Sequence, residues 1–453
     1  MISKPKIKPS STQIIMISFL FAILIGSVLL VLPISAKNGK SVNYLDALFT
    51  ATTATCVTGL VTLPTVTTWS VFGQVVILVL IQIGGLGVIT VLAGVAIAIN
   101  KKLGLKDSAL LQDSFNLNSL SGMSKFVKKV ILGTLTVEGI GALAYMTVFV
   151  PEFGAKGIWI SLFNSVSAFC NAGIDIIAEN SLINYVTNPI VNAVTCILIV
   201  FGGLGYIVWW DIIRVLKLFK KEKFKCLRKL TLHSKIVIVT TLLLIFGGAL
   251  LIFLFEYSNP LTLKGLSLFD KIQASFFQSV TTRTAGFATL PQEYLKDSTV
   301  IICIILMFVG GSPVGTAGGV KTVTLVVLIA TTLSTVSGRD EVTLFNRDLS
   351  REITKKAVAV SMMSLLIVVC STVLLLLVTV APFVDVLYEV VSATATVGLT
   401  RNLTSSIEGW GKIILIITMY LGRVGPISLA VAFKVKKKTI KGIKNPTEEI
   451  SVG

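Results

Sequence analysis

Eight long apolar runs dominate this 453-residue sequence and limit what it can fold into. They cover residues 14–34, 70–99, 130–150, 188–213, 236–255, 298–333, 357–381 and 411–433. A helix that crosses a bilayer needs about 20 consecutive, mostly apolar residues. Only 14% of the residues are charged, whereas a soluble domain has about 25%. The sequence therefore predicts an all-α polytopic membrane protein and excludes a soluble enzyme or scaffold.

The apolar runs come in pairs, and each pair encloses a shorter, more polar segment. The enclosed segments are 43–60, 158–174, 267–287 and 384–399. Segments of this length are more often re-entrant or buried than spanning. The pattern predicts four fused repeats of membrane helix, pore helix, filter and membrane helix around a pseudo-fourfold pore. The expected repeats are 1–100, 101–215, 216–337 with an intramembrane loop at 310–322, and 338–453 with a basic C-terminal tail.

Lysine and arginine lie mainly on one side of this arrangement. Of the 40 basic residues, 29 fall in the N-terminus, the connections between pairs and the tail, and 8 fall on the opposite side. Because cytoplasmic loops carry the excess of basic residues, we expect both termini in the cytoplasm and the short segments entering from outside. The net charge of +18 then reflects topology and contact with anionic membrane lipid, and no nucleic acid is expected as a partner.

The sequence offers little for metal or covalent chemistry. It contains a single histidine, His233, and its six cysteines show no paired metal-ligand spacing. A zinc site or a histidine-dependent triad is therefore not expected, and the spans hold no His/Ser/Asp combination typical of an intramembrane enzyme. We predict that the chain is not an enzyme and binds no cofactor of its own.

The next-to-last residue of each short segment is a glycine, and the four glycines recur at spacings of 114, 113 and 112 residues. Potassium channels replace the hydration shell of the ion with carbonyl groups from four TVGYG loops, and glycine reaches the backbone angles that direct consecutive carbonyls inward. The sequence thus predicts a K+-binding selectivity filter, shorter than TVGYG because the second glycine is missing. Its expected residues are Val57, Thr58, Gly59, Asn171, Ala172, Gly173, Thr284, Ala285, Gly286, Thr396, Val397 and Gly398.

Four longer motifs resemble those of the Ktr/Trk/HKT superfamily of cation translocation proteins, and are most similar to the membrane subunits of bacterial Ktr potassium uptake systems. These motifs are 279–287, 392–399, 315–322 and 422–426. Trk-type relatives carry two additional N-terminal helices, whereas Gly59 here leaves room for one preceding span. The resemblance covers essentially the whole chain. It implies channel-like K+ uptake across the bacterial plasma membrane, with Gly59 associated with K+ selectivity.

The resemblance also implies partners that the sequence alone does not reveal. It implies a homodimer and a cytosolic nucleotide-binding ring of the KtrA type, which binds ATP or ADP and drives opening. It further implies that uptake depends on sodium, although no residue can be assigned to a Na+ site.

Residues 310–322 interrupt an apolar run with five glycines, a proline and a serine. A helix does not continue unbroken through such a stretch, so a flexible loop under the filter is expected. A phosphate-binding P-loop is rejected because Val320 separates Gly319 from Lys321 and no strand precedes it. The resemblance implies that this loop is a gate. The expected gate residues are Gly310, Gly311, Ser312, Pro313, Gly315, Thr316, Gly318, Gly319, Lys321 and Arg423.

Arg423, Glu138 and Arg283 are charged residues within the apolar runs or beside the filter glycines. Arg423 is expected to face a wet cavity, because an arginine in lipid is costly, and there it would form an adjustable barrier to cations. The alternative is an ion pair, with Glu138 as a partner. Arg283, three residues before Gly286, is expected to point behind the filter and support it.

One alternative function stays open, a Trk-type or less selective Na+/K+ secondary transporter with alternating access. Such transporters are often built from inverted repeats and broken helices. The repeats predicted here share one orientation, because each contains two spans, and this favours a single fixed axis. The motifs at 84–87 and 202–205 are interpreted as close helix packing through small residues.

Overall fold

The computed structural model describes residues 10–99, 104–115, 122–219, 223–339 and 341–425. Within these ranges the chain is helical apart from loops and one short hairpin, which confirms the predicted all-α polytopic fold. The basic C-terminal tail, the end of the eighth apolar run and the lysines before residue 10 lie outside the described residues.

Four helices are individually long and apolar enough to cross a membrane. They are α1 (Ser11–Val31), α7 (Met123–Phe153), α11 (Leu232–Glu256) and α15 (Arg351–Val378). Only 28–39% of their apolar windows is buried, and large side chains such as Leu243 and Phe246 lie on the surface. A continuous apolar surface of this kind is compatible with lipid and not with water. Each of these helices is the first long helix of one predicted repeat.

A short helix packs against each long one. The short helices are α2 (Tyr44–Cys56), α8 (Lys156–Cys170), α12 (Leu268–Thr281) and α16 (Phe383–Ala395). Three of the aromatic residues that stand ten positions before the glycines, Phe49, Phe163 and Tyr388, are completely buried. In α12 the aromatic residue at this position, Phe276, is only half-buried and Phe277 is the completely buried one, because this helix ends earlier relative to its glycine.

The second helices of the repeats are broken. Helix α4 (Val71–Leu86) meets α5 (Val88–Ala98) at an angle of 98°, and α9 (Pro189–Leu204) meets α10 (Tyr206–Leu216) at 99°. The predicted spans 70–99 and 188–213 therefore each consist of two helices with a sharp bend between them. Gly87 and Gly205 adopt φ of +84° and +87° at the two breaks, angles that end a right-handed helix and favour glycine.

The third repeat is broken more widely, as its composition predicts. Helix α13 (Asp297–Phe308) is separated from α14 (Thr322–Val336) by residues 309–321, which we call the intramembrane loop. In the fourth repeat α18 (Trp410–Val424) ends at Gly425, whose φ of +89° matches Gly87 and Gly205.

The remaining elements are short. They are the α-helices α3 (Thr65–Thr68), α6 (Leu105–Phe115) and α17 (Leu403–Ser406), and the 3-10 helices Pro33–Ser35, Ile183–Tyr185, Lys223–Lys229 and Gln292–Tyr294. Between α14 and α15 the strands β1 (Thr343–Leu344) and β2 (Arg347–Asp348) form an antiparallel hairpin.

Candidate functional site

Each of the four short helices is followed by a three-residue segment that ends in glycine. We call residues 57–59, 171–173, 284–286 and 396–398 the glycine segments. The first residue of every segment has a positive φ, between +53° and +64°, although none of them is glycine. The glycines have φ between +64° and +97°. Positive φ in a residue with a side chain is uncommon and strained. The same unusual backbone is thus present in all four segments.

The four glycines lie against one another in a ring. A Cβ atom added to Gly59 would be 3.2 Å from the Cα of Gly398 and 3.3 Å from the Cα of Gly173. A Cβ added to Gly286 would be 3.2 Å from the Cα atoms of both Gly173 and Gly398. The ring therefore has no room for a side chain at these positions.

Side-chain oxygens behind the ring bind its backbone. The amides of Gly59 and Gly398 donate to Thr53 Oγ1 and Ser392 Oγ, each at 3.0 Å. The amide of Ile174, next to Gly173, donates to Ser167 Oγ at 3.2 Å. Because these amides are occupied behind the segments, the carbonyl groups remain as the polar groups available to the ring.

The third segment is built differently from the other three. Helices α2, α8 and α16 end three residues before their glycines, but α12 ends at Thr281, five residues before Gly286. There the hydroxyl of Thr281 donates to the carbonyl of Phe287 at 2.6 Å instead of accepting from an amide. The symmetry of the ring is therefore approximate.

A cavity of about 490 Å³ opens on one side of the ring, and all four glycines contribute to its lining. Its other walls are the loops that follow the segments, including Asp175, Glu179 and Glu293. Burial raises the pKa of Asp175 to about 6, although hydrogen bonds from Ser181 and from backbone amides favour the ionised form. Acidic groups at the mouth of a narrow passage raise the local concentration of cations.

The intramembrane loop closes the opposite side of the ring. Its Gly318 amide donates to the hydroxyl of Thr284 at 3.3 Å, and the hydroxyl of Thr316 lies 3.1 Å from the side-chain oxygen of Asn171. The loop folds back on itself through Gly311 and Gly318. Thr316 and Gly318 thus contact the second and third glycine segments directly.

The other loop residues shape this packing. The Ser312 amide donates to the carbonyl of Gly203 at 2.9 Å, and the carbonyl of Pro313 lies against Gly205. A Cβ on Gly315 would be 2.8 Å from the carbonyl oxygen of Gly202, and Cβ atoms on Gly310, Gly311 and Gly319 would meet other parts of the loop. These close approaches explain why the loop contains so many glycines.

Two cationic side chains hold the loop. Arg423 donates to the carbonyl of Thr316 at 2.6 Å and to the carbonyl of Gly84 in the first repeat. Lys321 folds back and donates to the carbonyl of Ala317 at 2.6 Å. Arg423 therefore bonds backbone carbonyls, and the alternative of an ion pair with Glu138 is not observed.

Glu138 and Arg283 lie behind the segments. Gln82 donates to Glu138 at 3.3 Å, and the thiol of Cys170 lies 3.8 Å from its other oxygen. The guanidinium of Arg283 reaches the carbonyls of Thr241 and Gly310, each at 3.4 Å. The structure thus places Arg283 behind the third segment, on the side where it was expected.

Three glycines allow the second helices to approach the short helices closely. Gly84 and Gly202 lie in the motifs that the sequence analysis interpreted as close helix packing, whereas the same role of Gly422 was not predicted. A Cβ on Gly84, Gly202 or Gly422 would collide with the carbonyl oxygen of Thr55, Phe169 or Thr394, respectively. These three carbonyls stand at the same position, four residues before the ring glycine. The repeated glycines in these motifs indicated close packing, but the sequence did not reveal that each glycine packs against a backbone carbonyl of the short helix in its own repeat.

Comparisons with known proteins place the chain in a family. The family model described as TrkH, cation transport protein, matches residues 4–441. The chain is 39% identical to the Ktr system potassium uptake protein B of Bacillus subtilis, over 97% of this chain and 96% of that protein. It is 37% identical to the potassium/sodium uptake protein NtpJ of Enterococcus hirae, over 98% and 97%.

A solved structure shares the fold. The potassium transporter TrkH from Vibrio parahaemolyticus superposes with a TM-score of 0.73 at 17% identity, and the match covers 95% of this chain and 86% of that one. The predicted Ktr/Trk membership and the absence of enzymatic function are confirmed. The chain belongs to the TrkH family of cation transport proteins.

Proposed function

We propose that this chain takes up potassium by letting K+ pass through the ring of glycine segments. The observation that carries the proposal is the contact among Gly59, Gly173, Gly286 and Gly398, each preceded by a residue with positive φ. Four such segments supply backbone carbonyls around one axis, and these can replace the water that K+ loses. The twelve residues of the glycine segments are the proposed selectivity filter.

The electrostatics of the site favour a cation. Helices α2, α8, α12 and α16 end at the ring with their carbonyl ends, which carry the negative end of the helix dipole. The acidic lining of the outer cavity adds to this field. Non-helical backbone is tolerated at membrane depth where it lines a wet cavity.

We propose K+ selectivity with Na+ as a possible activator. The names of two relatives, a potassium uptake protein and a potassium/sodium uptake protein, support transport of one or both ions. A filter without a second glycine offers fewer successive carbonyl rings than TVGYG. Selectivity is therefore expected to be sensitive to any added side chain in the ring.

The intramembrane loop, Lys321 and Arg423 are the proposed gate. The loop lies directly against the ring and is held by hydrogen bonds to three repeats. Two positive charges at this position oppose the passage of a cation. Flux requires that the loop moves aside.

The proposed assembly follows from the resemblance and from the charge distribution. It is a homodimer in the plasma membrane, with both termini in the cytoplasm and with a cytosolic KtrA-type ring that binds ATP or ADP. The concentration of lysine and arginine between the repeats supports this orientation. The four repeat boundaries given above are part of the same proposal.

A second candidate is secondary transport with alternating access. The breaks at Gly87 and Gly205 favour it, because discontinuous helices are typical of such transporters. A strict ratio of Na+ to K+ at every turnover would support this candidate, whereas flux that follows the K+ gradient and the membrane potential would support the fixed pore.

The test is rubidium uptake into liposomes that contain the purified chain, with and without the nucleotide-binding partner. We expect uptake that K+ inhibits more strongly than Na+ and that the partner increases. As a control, valinomycin is added to the liposomes, and the rubidium uptake that it causes shows that the K+ gradient is intact. Absence of uptake in both conditions, with the protein correctly inserted, would overturn the proposed function.

A further inference from the structure

Thr316, in the intramembrane loop, is completely buried, and all its polar groups bond residues outside the loop. Its amide donates to the carbonyl of Gly202 at 3.1 Å, and its carbonyl accepts from Arg423. Its hydroxyl lies 3.1 Å from the carbonyl oxygen of Phe169 and 3.1 Å from Oδ1 of Asn171. Thr316 therefore fixes the loop to its surroundings.

Asn171 is the first residue of the second glycine segment, and its amide group bridges three parts of the molecule. Its Oδ1 accepts from Thr316, and its Nδ2 donates to the carbonyl of Arg283, next to the third segment, at 3.5 Å. The site is tight, because a Cβ on Gly202 would lie 2.7 Å from both Asn171 Oδ1 and Thr316 Oγ1.

The backbone alone does not explain an asparagine at this position. Asparagine tolerates the φ of +60° found here. However, Val57, Thr284 and Thr396 stand at the equivalent positions with the same sign of φ. The side chain of Asn171 differs from theirs by the amide group that contacts Thr316.

We propose that Asn171 is a positioning residue that makes the filter part of the gate. Its amide holds the hydroxyl of Thr316 and thereby keeps the loop against the ring, so that the loop opens only when this hydrogen bond breaks. The inference rests on the proposed function. The coupling is reciprocal. If release of the loop changes the affinity of the filter for K+ by some factor, then binding of K+ changes the equilibrium between closed and released loop by the same factor.

The test measures rubidium uptake by the reconstituted chain without its nucleotide-binding partner, where the loop is closed. Thr316→Val removes the hydroxyl at nearly constant volume, and Asn171→Gly removes the amide while keeping the positive φ accessible. Each is expected to raise basal uptake about fivefold, the factor for one buried hydrogen bond of ordinary strength. Thr316→Ser keeps the hydroxyl, so its basal uptake is expected to stay at the wild-type level.

The double variant Asn171→Gly/Thr316→Val shows whether the two residues act through one shared hydrogen bond or affect uptake independently. If the amide acts through Thr316, adding Asn171→Gly to Thr316→Val raises uptake no further. Thr332→Val is the matched control, because Thr332 is exposed on α14 and bonds only the carbonyl of Leu328 in its own helix. Equal uptake by Thr316→Ser and Thr316→Val, additive effects in the double variant, or wild-type uptake by Asn171→Gly would each overturn the inference.

Failure of the inference can be told apart from failure of the proposed function. A chain with residues 312–319 deleted lacks the loop contact altogether and reports on the pore itself. No uptake by this deletion variant would count against the pore. Uptake by the deletion variant together with any of the three contrary results would count against the role of Asn171 only. If Thr316→Val does not fold, Asn171→Gly still removes the same hydrogen bond from its other end, and wild-type uptake by Asn171→Gly would overturn the inference.

Discussion

Gly59 and Gly398 face each other so closely that a Cβ on Gly59 would lie 3.2 Å from the Cα of Gly398 and 2.6 Å from the carbonyl oxygen of Ala172. The two residues belong to the first and the fourth repeat, more than 300 positions apart in the sequence. Any side chain at either position would enter the space where the proposed filter coordinates the ion.

We expect Gly59→Ser to reduce the preference for K+ over Na+ by on the order of tenfold, or about 1.4 kcal/mol. The added atoms displace the neighbouring carbonyls, and the φ of +97° is unfavourable for serine. Competition of K+ and Na+ with rubidium uptake measures the effect. Gly265→Ser is the control, because Gly265 is exposed and a Cβ there meets no atom within 4 Å. Unchanged selectivity would contradict the filter assignment.

Deletion of residues 312–319 is expected to raise rubidium uptake without the partner by at least tenfold. The loop contacts the ring through Thr316 and Gly318, so its removal opens the path beneath the ring. The amount of protein in the membrane must be measured alongside uptake. A well-inserted deletion variant with wild-type uptake would show that the loop is not a gate.

Uptake is expected to fall as the external pH decreases through about 6. Burial raises the pKa of Asp175 to about 6, so the carboxylate at the outer cavity is ionised above this pH and neutral below it. Loss of one negative charge should lower cation entry on the order of threefold at low ionic strength. Asp175→Asn should remove this pH dependence, whereas Glu179→Gln on the same cavity should retain it.

The raised pKa of Asp175 affects stability in the opposite direction from uptake. The pKa of Asp175 is higher in the folded chain than the value of about 3.9 expected in the unfolded chain. The free energy of unfolding therefore decreases as the pH rises from about 4 through about 6. A thermal melt of Asp175→Asn should lack this contribution, and a melt that depends on pH as the wild type does would contradict it.

Gly84→Ala is expected to destabilise the protein by roughly 1–3 kcal/mol, as overpacking does in a tight interior. The new methyl group would collide with the carbonyl oxygen of Thr55 at the end of α2, and backbone cannot move aside as a side chain can. Melting of the detergent-solubilised protein measures the change. Gly247→Ala is the control, because Gly247 lies in α11 with no atom within 4 Å of its added Cβ. Equal melting temperatures for the two variants would contradict the close-approach argument.

The architecture was accessible from the sequence because membranes impose simple rules. A long apolar run such as 236–255 becomes α11 because a helix satisfies its own backbone in lipid. The interruption at 310–322 was also predictable, since five glycines and a proline oppose a helix. The grouping of Gly59, Gly173, Gly286 and Gly398 was expected from their spacing, and the structure brings them together. Their role in ion binding stays a prediction.

Other features depend on contacts that are distant in the chain. A glycine costs only about 1 kcal/mol in a helix, so the sequence around Gly87 does not reveal a break of 98°. Nor does a local pattern link Asn171 to Thr316, which are 145 residues apart. The shift from Phe276 to Phe277 likewise follows from the early end of α12, which packing decides.

The early end of α12 has a consequence for how such a protein can evolve. In a channel made of four identical chains, every substitution appears four times around the axis. In the pore proposed here one chain supplies all four quadrants, so a single quadrant can acquire a shortened helix, an interrupting loop or an arginine while the others keep their geometry. A mutation that improves one quadrant is not repeated in the other three, and control of flux can be refined in one place without rebuilding the passage.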